Sequence, residues 1–404
     1  MKFSLIYEAQ TADPTREGDH RVIDEIMEQA LLAEELDFDV IWAVEHTGLT
    51  MYAHMSAPET FLAYLAGATS RIGIGHGVIC LPPRMNHPVK VAERCAMLDI
   101  LSGGRLHVGF GKGATEQEAG TFGYRKSDLA PILDEVMPLV PRYWVEDDVE
   151  FHGDFIDVPP RTVHPRPLQD PHPPIYQACT HTDTLVDAGH RGIGALVLGF
   201  GGPDQIAEKN AVYRRAFAER DPADQVGTRP TEHLAALCPT IVLDDAAEAR
   251  RIGIRGQRFF MEAIGHWASD GTTPLPDPDT WSDDPSLGPT GDQSGDRATD
   301  QVVHDDSLIV EASIGSEKVT MDLAEASMSQ DNPSHGYGDV DDCIDYVGRL
   351  FDAGADEILF LCQMGTVPQE AQVETVRRIG ERVIPHFRAG GDRRADPRLV
   401  KVSA

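Results

Sequence analysis

The stretch from Arg71 to Gly111, RIGIGHGVICLPPRMNHPVKVAERCAMLDILSGGRLHVGFG, shows the repeating unit of the fold. It begins with a run rich in Ile, Val and Gly and continues with a helix-like segment that ends at the glycine pair Gly103 and Gly104. A second apolar run follows directly. A strand, a helix and another strand in this order predict two parallel strands joined by a crossover helix.

The same alternation of short apolar runs and longer helical segments continues in both directions from this stretch. Eight runs have the composition of strands: KFSLIY, DVIWAV, RIGIGHGVICL, RLHVGFG, PPIYQAC, GALVLGF, HLAALCPTIVL and DEILFLCQM. Eight strand–helix repeats between Lys2 and Met364 predict a (β/α)8 TIM barrel. A doubly wound sheet is the alternative, but no dinucleotide-binding glycine fingerprint follows the first strand.

A single barrel domain is predicted for residues 1–388. Two segments within it depart from the alternation, and a third follows it. Val149–Val158 has the pattern of a short hairpin. Gly265–Ser316 is rich in Asp, Pro, Gly, Ser and Thr, which predicts a long acidic insertion late in the barrel that forms a lid loop. Residues 389–404 are predicted to be a polar C-terminal tail.

The composition limits the kinds of partner. The chain has 404 residues and a formal net charge of −31, which argues against nucleic acid and anionic membrane surfaces, because both require a positive footprint. No run of about 18 apolar residues is present, and the N-terminus has no signal-peptide pattern, so we expect a cytoplasmic protein. Six cysteines without paired spacing predict reduced thiols rather than a disulfide framework.

Chemically useful side chains follow several of the predicted strands, and a barrel places its active site at the carboxyl ends of its strands. Glu45 and His46 follow strand two, and Lys112 stands between two glycines after strand four. Strand five leads into a helix whose first turn holds several threonines. A lysine in a glycine turn and hydroxyl groups at a helix N-terminus predict a phosphate site. Ordinary N-capping threonines and a solvated lysine are the alternative, which the convergence at one end of the barrel disfavours.

Four segments of the chain resemble the bacterial luciferase-like flavin-dependent monooxygenases. They are FDVIWAVEHTG after strand one, the block that begins at Arg71 and continues to Gly113, PHPPIYQACTHTDTLVDAGHRGIGAL, and QMGTVPQEAQ near the C-terminus. The resemblance covers most of residues 1–265 and 335–388. It implies a (β/α)8 barrel that binds reduced FMN, or in some branches the deazaflavin F420, at the carboxyl ends of the strands.

The resemblance also implies roles for individual residues. Glu45 and His46 would lie near the flavin ring and the substrate as catalytic residues, and the Gly77–Val78 peptide would be a non-prolyl cis bond against the ring. Lys112 takes the position of a phosphate-binding arginine, although an ammonium group lacks the bidentate geometry of a guanidinium group. The remaining cofactor-binding candidates are Gly111, Ala178, Cys179, Thr180, Thr182, Asp183 and Thr184.

Two positions differ from the light-emitting members of this family. Thr47 stands where those members have a second histidine, and Gly111 stands where they have a cysteine near the flavin. Light emission is therefore not expected. A metal site is not expected either, because His46 with His54, and His164 with His172, lack the spacing of a helical zinc motif.

Four large side chains are candidates for the wall of the substrate pocket, with the barrel core as their alternative location: Trp42, Phe110, Phe200 and Met364. Cys179 has no assigned base, so a packed thiol is preferred to a nucleophile. We expect His46 to be a neutral imidazole near its natural pKa that exchanges a proton, with Glu45 orienting the ring.

These features together predict a flavin-dependent monooxygenase. It would use reduced FMN, supplied by a separate reductase, and O2 to oxygenate a small, mostly apolar substrate such as an aldehyde or ketone. An F420-dependent oxidoreductase on the same fold and a non-catalytic flavin-binding protein are the alternatives. The family resemblance favours a homodimer.

Overall fold

The computed structural model describes residues 1–281, 309–314, 317–322 and 336–389, and between 309 and 322 it describes the backbone only. Its strands are β1 Lys2–Tyr7, β2 Val40–Ala43, β3 Gly73–Cys80, β4 Leu106–Gly111, β5 Val149–His152, β6 Asp157–Arg161, β7 Ile175–Cys179, β8 Gly194–Val197, β9 Leu234–Val242, β10 Ile309–Ile314, β11 Glu317–Asp322, β12 Gly336–Gly338 and β13 Glu357–Leu361. Eight of them pair in parallel and close in the order β1–β2–β3–β4–β7–β8–β9–β13. The predicted (β/α)8 barrel is confirmed, and its strands are the eight predicted segments.

Helices connect the barrel strands on the outside. They are α1 Arg16–Glu35, α2 Pro58–Ala68, α3 Pro88–Leu101, α4 Glu116–Thr121, α5 Leu129–Val136, α6 Leu139–Val145, α7 Thr182–His190, α8 Gly202–Glu219, α9 Ala246–Ala268, α10 Val340–Asp352, α11 Gln369–Arg378 and α12 Ile384–Ala389. Helix α3 begins at Pro88, whose missing N–H costs nothing in the first turn. Just beyond the end of α3, Gly103 and Gly104 have φ angles of 70° and 83°, which glycine adopts without strain. No helix within the described ranges is long and apolar enough to cross a membrane.

The additions to the barrel agree only partly with the sequence analysis. The predicted hairpin is present as the antiparallel pair β5–β6, which continues to Arg161. Helix α9 extends to Ala268, so the first residues of the predicted insertion are helical. Residues 309–314 and 317–322 pair as an antiparallel hairpin, whereas residues 282–308 and the tail from 390 lie outside the described residues.

A buried carboxylate joins four barrel strands near their amino ends. Glu357, the first residue of β13, is 0% exposed. Its Oε1 accepts hydrogen bonds from Ser4 Oγ of β1 at 2.5 Å and from Trp42 Nε1 of β2 at 2.8 Å. Its Oε2 lies 2.8 Å from Nε2 of His233, which directly precedes β9. Burial alone would raise the pKa of Glu357, but the His233 contact and the other bonds lower it below its ordinary value, so the carboxylate is ionised.

Trp42 is held in the barrel interior by this network. Its ring contacts Tyr176 edge-on at 5.2 Å between centroids and lies 5.7 Å from His107. A Cβ atom on Gly75 of β3 would lie 2.4 Å from the indole, so only glycine fits at that position. The prediction that Trp42 lines the substrate pocket is therefore wrong. Its indole points to the amino ends of the strands, away from the mouth of the barrel, which is formed by the carboxyl ends of the strands.

We expect Glu357→Gln to reduce the free energy of unfolding by about 3 kcal/mol, since breaking a buried charged pair leaves its partners uncompensated. The pKa of Glu357 is lowered by folding, so its stabilisation is present above the ordinary carboxyl pKa and is lost as the pH falls. The difference between the two proteins should therefore shrink in acid. Urea unfolding at neutral and acid pH measures this effect.

The matched control is Glu219→Gln, which makes the same chemical change at an exposed position at the end of α8. It should change stability by no more than about 0.5 kcal/mol. Equal stability of the Glu357→Gln variant and the wild-type protein would show that the network at the amino ends does not hold the barrel together.

Candidate active site

His46 lies at the carboxyl end of the barrel between two carboxylates. Its Nδ1 is 2.9 Å from Oε1 of Glu118, and its Nε2 is 3.7 Å from Oε2 of Glu8. Glu8 directly follows β1 and Glu118 lies in α4. Three segments that are distant in the sequence therefore converge on one imidazole ring.

Glu118 is saturated with hydrogen-bond donors. Besides His46 Nδ1, it accepts bonds from the backbone N–H groups of Thr47, Ala114 and Thr115 and from the Thr115 hydroxyl, at 3.1–3.3 Å. It also completes the capping box of α4 with Thr115. Burial alone would raise the pKa of Glu118, but His46 and these donors lower it to about 2. An ionised Glu118 therefore ties the segment after β2 to the segment after β4.

The charge state of His46 differs from the prediction. Burial alone would lower its pKa, but the carboxylates of Glu118, Glu8 and Glu45 raise it to about 9. The ring is therefore an imidazolium at neutral pH rather than a neutral base near its natural pKa. With Nδ1 bonded to Glu118, Nε2 is the atom from which His46 can donate a proton.

Glu45 does not orient His46, although the two residues are adjacent in the sequence. Its Oε2 accepts from the backbone N–H of Cys80 at 2.8 Å, and its Oε1 accepts from Asn86 Nδ2 at 2.8 Å. Burial is the main cause that raises its pKa above the ordinary value. Glu45 thus fastens the end of β3, and the predicted orienting role belongs to Glu118.

Glu8 and Glu118 are not among the predicted site residues, although the sequence carries a signal for each of them. Glu118 is the last residue of a Thr-x-x-Glu motif that begins at Thr115, which is the signature of a capping box. Glu8 follows β1 as Glu45 follows β2, so both could have been selected as acids at strand ends.

Aromatic rings extend the site from His46 across the barrel mouth. Tyr52 contacts the His46 ring at 5.3 Å between centroids and Phe260 of α9 at 5.4 Å. Phe260 in turn lies 5.5 Å from Phe200, which follows β8. Of the four predicted pocket residues, only Phe200 is part of this aromatic row.

Phe110 and Met364 are not part of this aromatic row. For Phe110, strand geometry gives the reason. Side chains alternate between the two faces of a strand, and His107 faces Trp42 inside the barrel, so Phe110 points outward to the helical layer. Met364 packs against Tyr337, with 3.9 Å between its sulfur and the tyrosine hydroxyl, and borders Gly256 of α9. Both side chains are fully buried. The outward direction of Phe110 contradicts its assignment to the pocket wall, whereas the assignment of Met364 stays a prediction.

The ends of β3 and β4 approach each other closely. The Gly77–Val78 peptide is cis, as the resemblance implied. A Cβ atom on Gly111 would lie 2.5 Å from Cγ2 of Val78, and one on Gly109 would lie 2.5 Å from the carbonyl oxygen of His76. The cysteine that light-emitting members carry at position 111 would therefore collide with Val78.

Lys112 and the start of α7 follow two strands that pair with each other, β4 and β7. Lys112 is half-buried and forms no hydrogen bond or ion pair within the described part of the chain. Thr182 and Asp183 are exposed in the first turn of α7, where backbone N–H groups have no partner within the helix. Thr184 instead bonds the backbone of its own turn, with its hydroxyl accepting from the N–H of His181 at 3.1 Å.

Cys179 and Ala178 of β7 point to opposite faces. Ala178 is half-buried, and its Cβ lies 3.9 Å from the position of a Cβ on Gly111. The Cys179 thiol is buried beneath α7, 3.3 Å from the carbonyl oxygen of Thr184, and burial is the main cause that raises its pKa to about 12. Cys179 is therefore a packed thiol, and only its neighbour Ala178 borders the mouth.

Comparisons of the sequence with known proteins give matches to one family. The model of the luciferase-like monooxygenase family matches residues 1–305. The oxygenase component of the flavin-dependent trigonelline monooxygenase of Acinetobacter baylyi is 31% identical over 271 residues, which are 66% of this chain and 72% of the relative. Several other curated relatives match over about half of their length.

Solved structures show the same architecture. A monooxygenase from Streptomyces bottropensis is 25% identical, with a TM-score of 0.72 over 96% of this chain and 100% of the other. The oxygenating constituent of 3,6-diketocamphane monooxygenase from Pseudomonas putida, solved with FMN, has a TM-score of 0.69 at 18% identity, over 95% of this chain and 98% of the other. The second likeness concerns the fold alone.

Proposed function

The chain belongs to the luciferase-like monooxygenase family, and from this premise we propose that it uses reduced FMN and O2 to oxygenate a small, mostly apolar organic substrate. The observation that carries the proposal is the attachment of His46 to Glu118. Glu118 holds the imidazolium by Nδ1 and, through the Ala114 and Thr115 N–H groups, holds the segment that carries Lys112. A proton donor and an anion-binding turn are thereby parts of one hydrogen-bonded unit.

The residues at the mouth fit the phosphate of FMN. Lys112 has no partner within the described residues. In the first turn of α7, the His181 side chain caps the backbone N–H of Thr184, whereas the N–H groups of Thr182 and Asp183 have no partner within the helix, and the hydroxyls of Thr180 and Thr182 are nearby in the chain. A helix N-terminus and an unpaired ammonium group together favour a phosphate dianion. Asp183 would contribute only its backbone N–H, since its carboxylate would repel the phosphate.

The residues at the ends of β3 and β4 fit the flat ring of the flavin. Gly77, Val78 and Gly111 bring backbone close to the mouth, where a side chain on Gly111 would have no room. Bound reduced flavin would supply the electrons that activate O2. The protein would hold the ring on this backbone surface and present the Nε2 proton of His46 to the developing negative charge on the reacting oxygen.

The substrate would lie against the aromatic row of Tyr52, Phe200 and Phe260. These rings exclude water, which limits the loss of activated oxygen as hydrogen peroxide. An aldehyde or ketone fits this wall, because it combines an apolar body with a single carbonyl acceptor for a charged donor such as His46. Glu45 would support this arrangement by fixing the end of β3.

Two other functions use the same fold. One relative is an F420-dependent glucose-6-phosphate dehydrogenase, and an F420-dependent oxidoreductase would transfer a hydride instead of activating oxygen. A flavin-binding protein without activity would need no imidazolium. The charged His46–Glu118 pair favours the oxygenase over the binding protein. Oxygen consumption with reduced FMN, compared with substrate reduction by reduced F420, distinguishes the oxygenase from the F420-dependent oxidoreductase.

We propose two protein partners. A separate flavin reductase would supply reduced FMN, as the designation of a related protein as an oxygenase component suggests. A second copy of the chain would cover the exposed apolar side chains of the adjacent helices α2 and α3, which are Tyr64, Met97, Ile100 and Leu101.

We expect sedimentation velocity to show a dimer for the wild-type protein and a monomer for Leu101→Glu, because a charge in the centre of an apolar interface is desolvated without a partner. Glu219→Lys changes the charge at an exposed position on α8, away from α2 and α3, and should remain dimeric. A wild-type protein that sediments as a monomer at micromolar concentration would end the dimer proposal.

We expect His46→Ala to lower product formation by about two to four orders of magnitude, the usual range for a lost general acid or base. FMN affinity should change little, and hydrogen peroxide should appear in place of product, because reduced flavin still reacts with O2. His20→Ala, an exposed histidine paired with Asp24 on α1, is the matched control. A folded His46→Ala enzyme that forms product at the wild-type rate would contradict the proposed role.

We expect Lys112→Ala to weaken FMN binding by about 1.5–3 kcal/mol, the size of a hydrogen bond to a charged group. Riboflavin lacks the phosphate, so its binding should change much less. Lys2→Ala removes the same charge at the amino end of β1 and serves as control. Fluorescence titration with both flavins measures the effect, and equal losses for FMN and riboflavin would show that Lys112 does not bind the phosphate.

A further inference from the structure

Glu8 is a buried carboxylate without a hydrogen bond to one of its oxygens. The residue is 5% exposed, and its Oε2 has no hydrogen-bond partner within the described residues. Burying a carboxylate is costly unless donors compensate it. Glu118 and Glu357 receive such donors in full, so Glu8 differs from the other carboxylates in the barrel interior.

The surroundings of Glu8 explain why it is not fully paired. His46 Nε2 lies 3.7 Å from Oε2, which is within range of attraction but beyond a hydrogen bond. Glu118 already takes the Nδ1 proton, so one imidazolium serves two carboxylates. Tyr52 is the third titratable group that faces Glu8, and both carboxylates contribute to raising its pKa, after the effect of burial.

The backbone beside Glu8 is held in an unfavourable conformation. Ala9 has a φ angle of 53°, a left-handed conformation that side chains other than glycine and asparagine rarely adopt. Two hydrogen bonds hold the turn, from His54 N to the Ala9 carbonyl and from Met55 N to the Glu8 carbonyl, each 3.2 Å long. Such strain persists only where the surrounding structure enforces it, and it is concentrated at functional sites.

We propose that Glu8 is a second proton carrier of this site, which returns a proton to His46 Nε2 after the imidazolium has donated one. In this step the Glu8 carboxylic acid loses its proton, and the neutral imidazole gains it at Nε2, so the site holds the same number of protons before and after. Glu118 remains ionised throughout and keeps the ring in place. The inference rests on the proposed role of His46 as the proton donor.

The titration of Glu8 is suited to this role. Burial raises its pKa, His46 lowers it and Glu118 raises it again, which together place the pKa at about 7. Glu8 therefore exchanges its proton near neutral pH, whereas His46 holds its own until about pH 9. Because the pKa of Glu8 is lower than that of His46 and close to neutrality, Glu8 can donate its proton to the neutral His46 ring and then take up another proton from solvent at neutral pH.

The test uses the flavin-free protein and the imidazole signals of 15N-histidine-labelled samples, with His46 identified by its absence in His46→Asn. In the wild-type protein, the His46 nitrogens should report two steps, one near pH 7 from Glu8 and one near pH 9 from the ring itself. In Glu8→Gln the first step should disappear, and the second should move to lower pH because one carboxylate is lost. Glu17→Gln, at an exposed position on α1, should leave both steps in place.

The same variants are then followed as enzymes. Glu8→Gln should lower product formation at least tenfold and remove the ionisation near pH 7 from its pH profile, with KM for the substrate little changed. Glu8→Asp keeps a carboxylate farther from the ring and should retain the step with a partial rate, which provides a readout if the glutamine variant fails to fold.

The outcomes separate this inference from the proposed function. Unchanged His46 titration steps in folded Glu8→Gln would overturn the role of Glu8, whatever reaction the enzyme catalyses. A lost step in the flavin-free protein supports the proton exchange even if reduced FMN gives no product, a result that would contradict only the proposed function.

Discussion

The buried Glu357 carboxylate ties four strands of the barrel together near their amino ends. It joins β13 to β1 through Ser4, to β2 through Trp42 and to the start of β9 through His233. These contacts keep the indole of Trp42 inside the barrel, and the indole in turn allows only glycine at Gly75 of β3. Glu357, which lies near the amino ends of the strands, therefore restricts position 75 of β3 to glycine through its effect on Trp42.

Three carboxylates in this barrel have two kinds of environment, and the number of donors accounts for the difference. Glu357 and Glu118 are buried, fully bonded and ionised, so they act as fixed anchors. Glu8 is equally buried, but it faces a cation that is already bonded to Glu118, and its pKa is accordingly raised. Burial therefore does not decide whether an acid is structural or reactive, because the decisive quantity is the count of donors that reach it.

The barrel could be predicted from the sequence because it depends on repeated local patterns. Each parallel strand is buried on both faces, so it appears as a continuous apolar run, and eight such runs were identifiable. The site was less predictable because it depends on which face each side chain takes. Phe110 points outward to the helical layer and Met364 packs against Tyr337, while Glu45 is adjacent to His46 in sequence and bonds to the end of β3 instead.

Glu118 shows how a short local motif acquires a long-range role. As a capping-box residue, Glu118 would stabilise only the first turn of α4. Its Oε2 makes those local bonds, whereas its Oε1 accepts from the N–H of Thr47 and lies 2.9 Å from Nδ1 of His46. The segment after β4 cannot shift without moving the imidazole, and the position of Lys112 is thereby coupled to that of His46. A single carboxylate that satisfies donors on both segments gives the mouth its rigidity, because moving either segment would leave a buried charge uncompensated. The coupling spans two strands that are not neighbours, because β3 lies between β2 and β4.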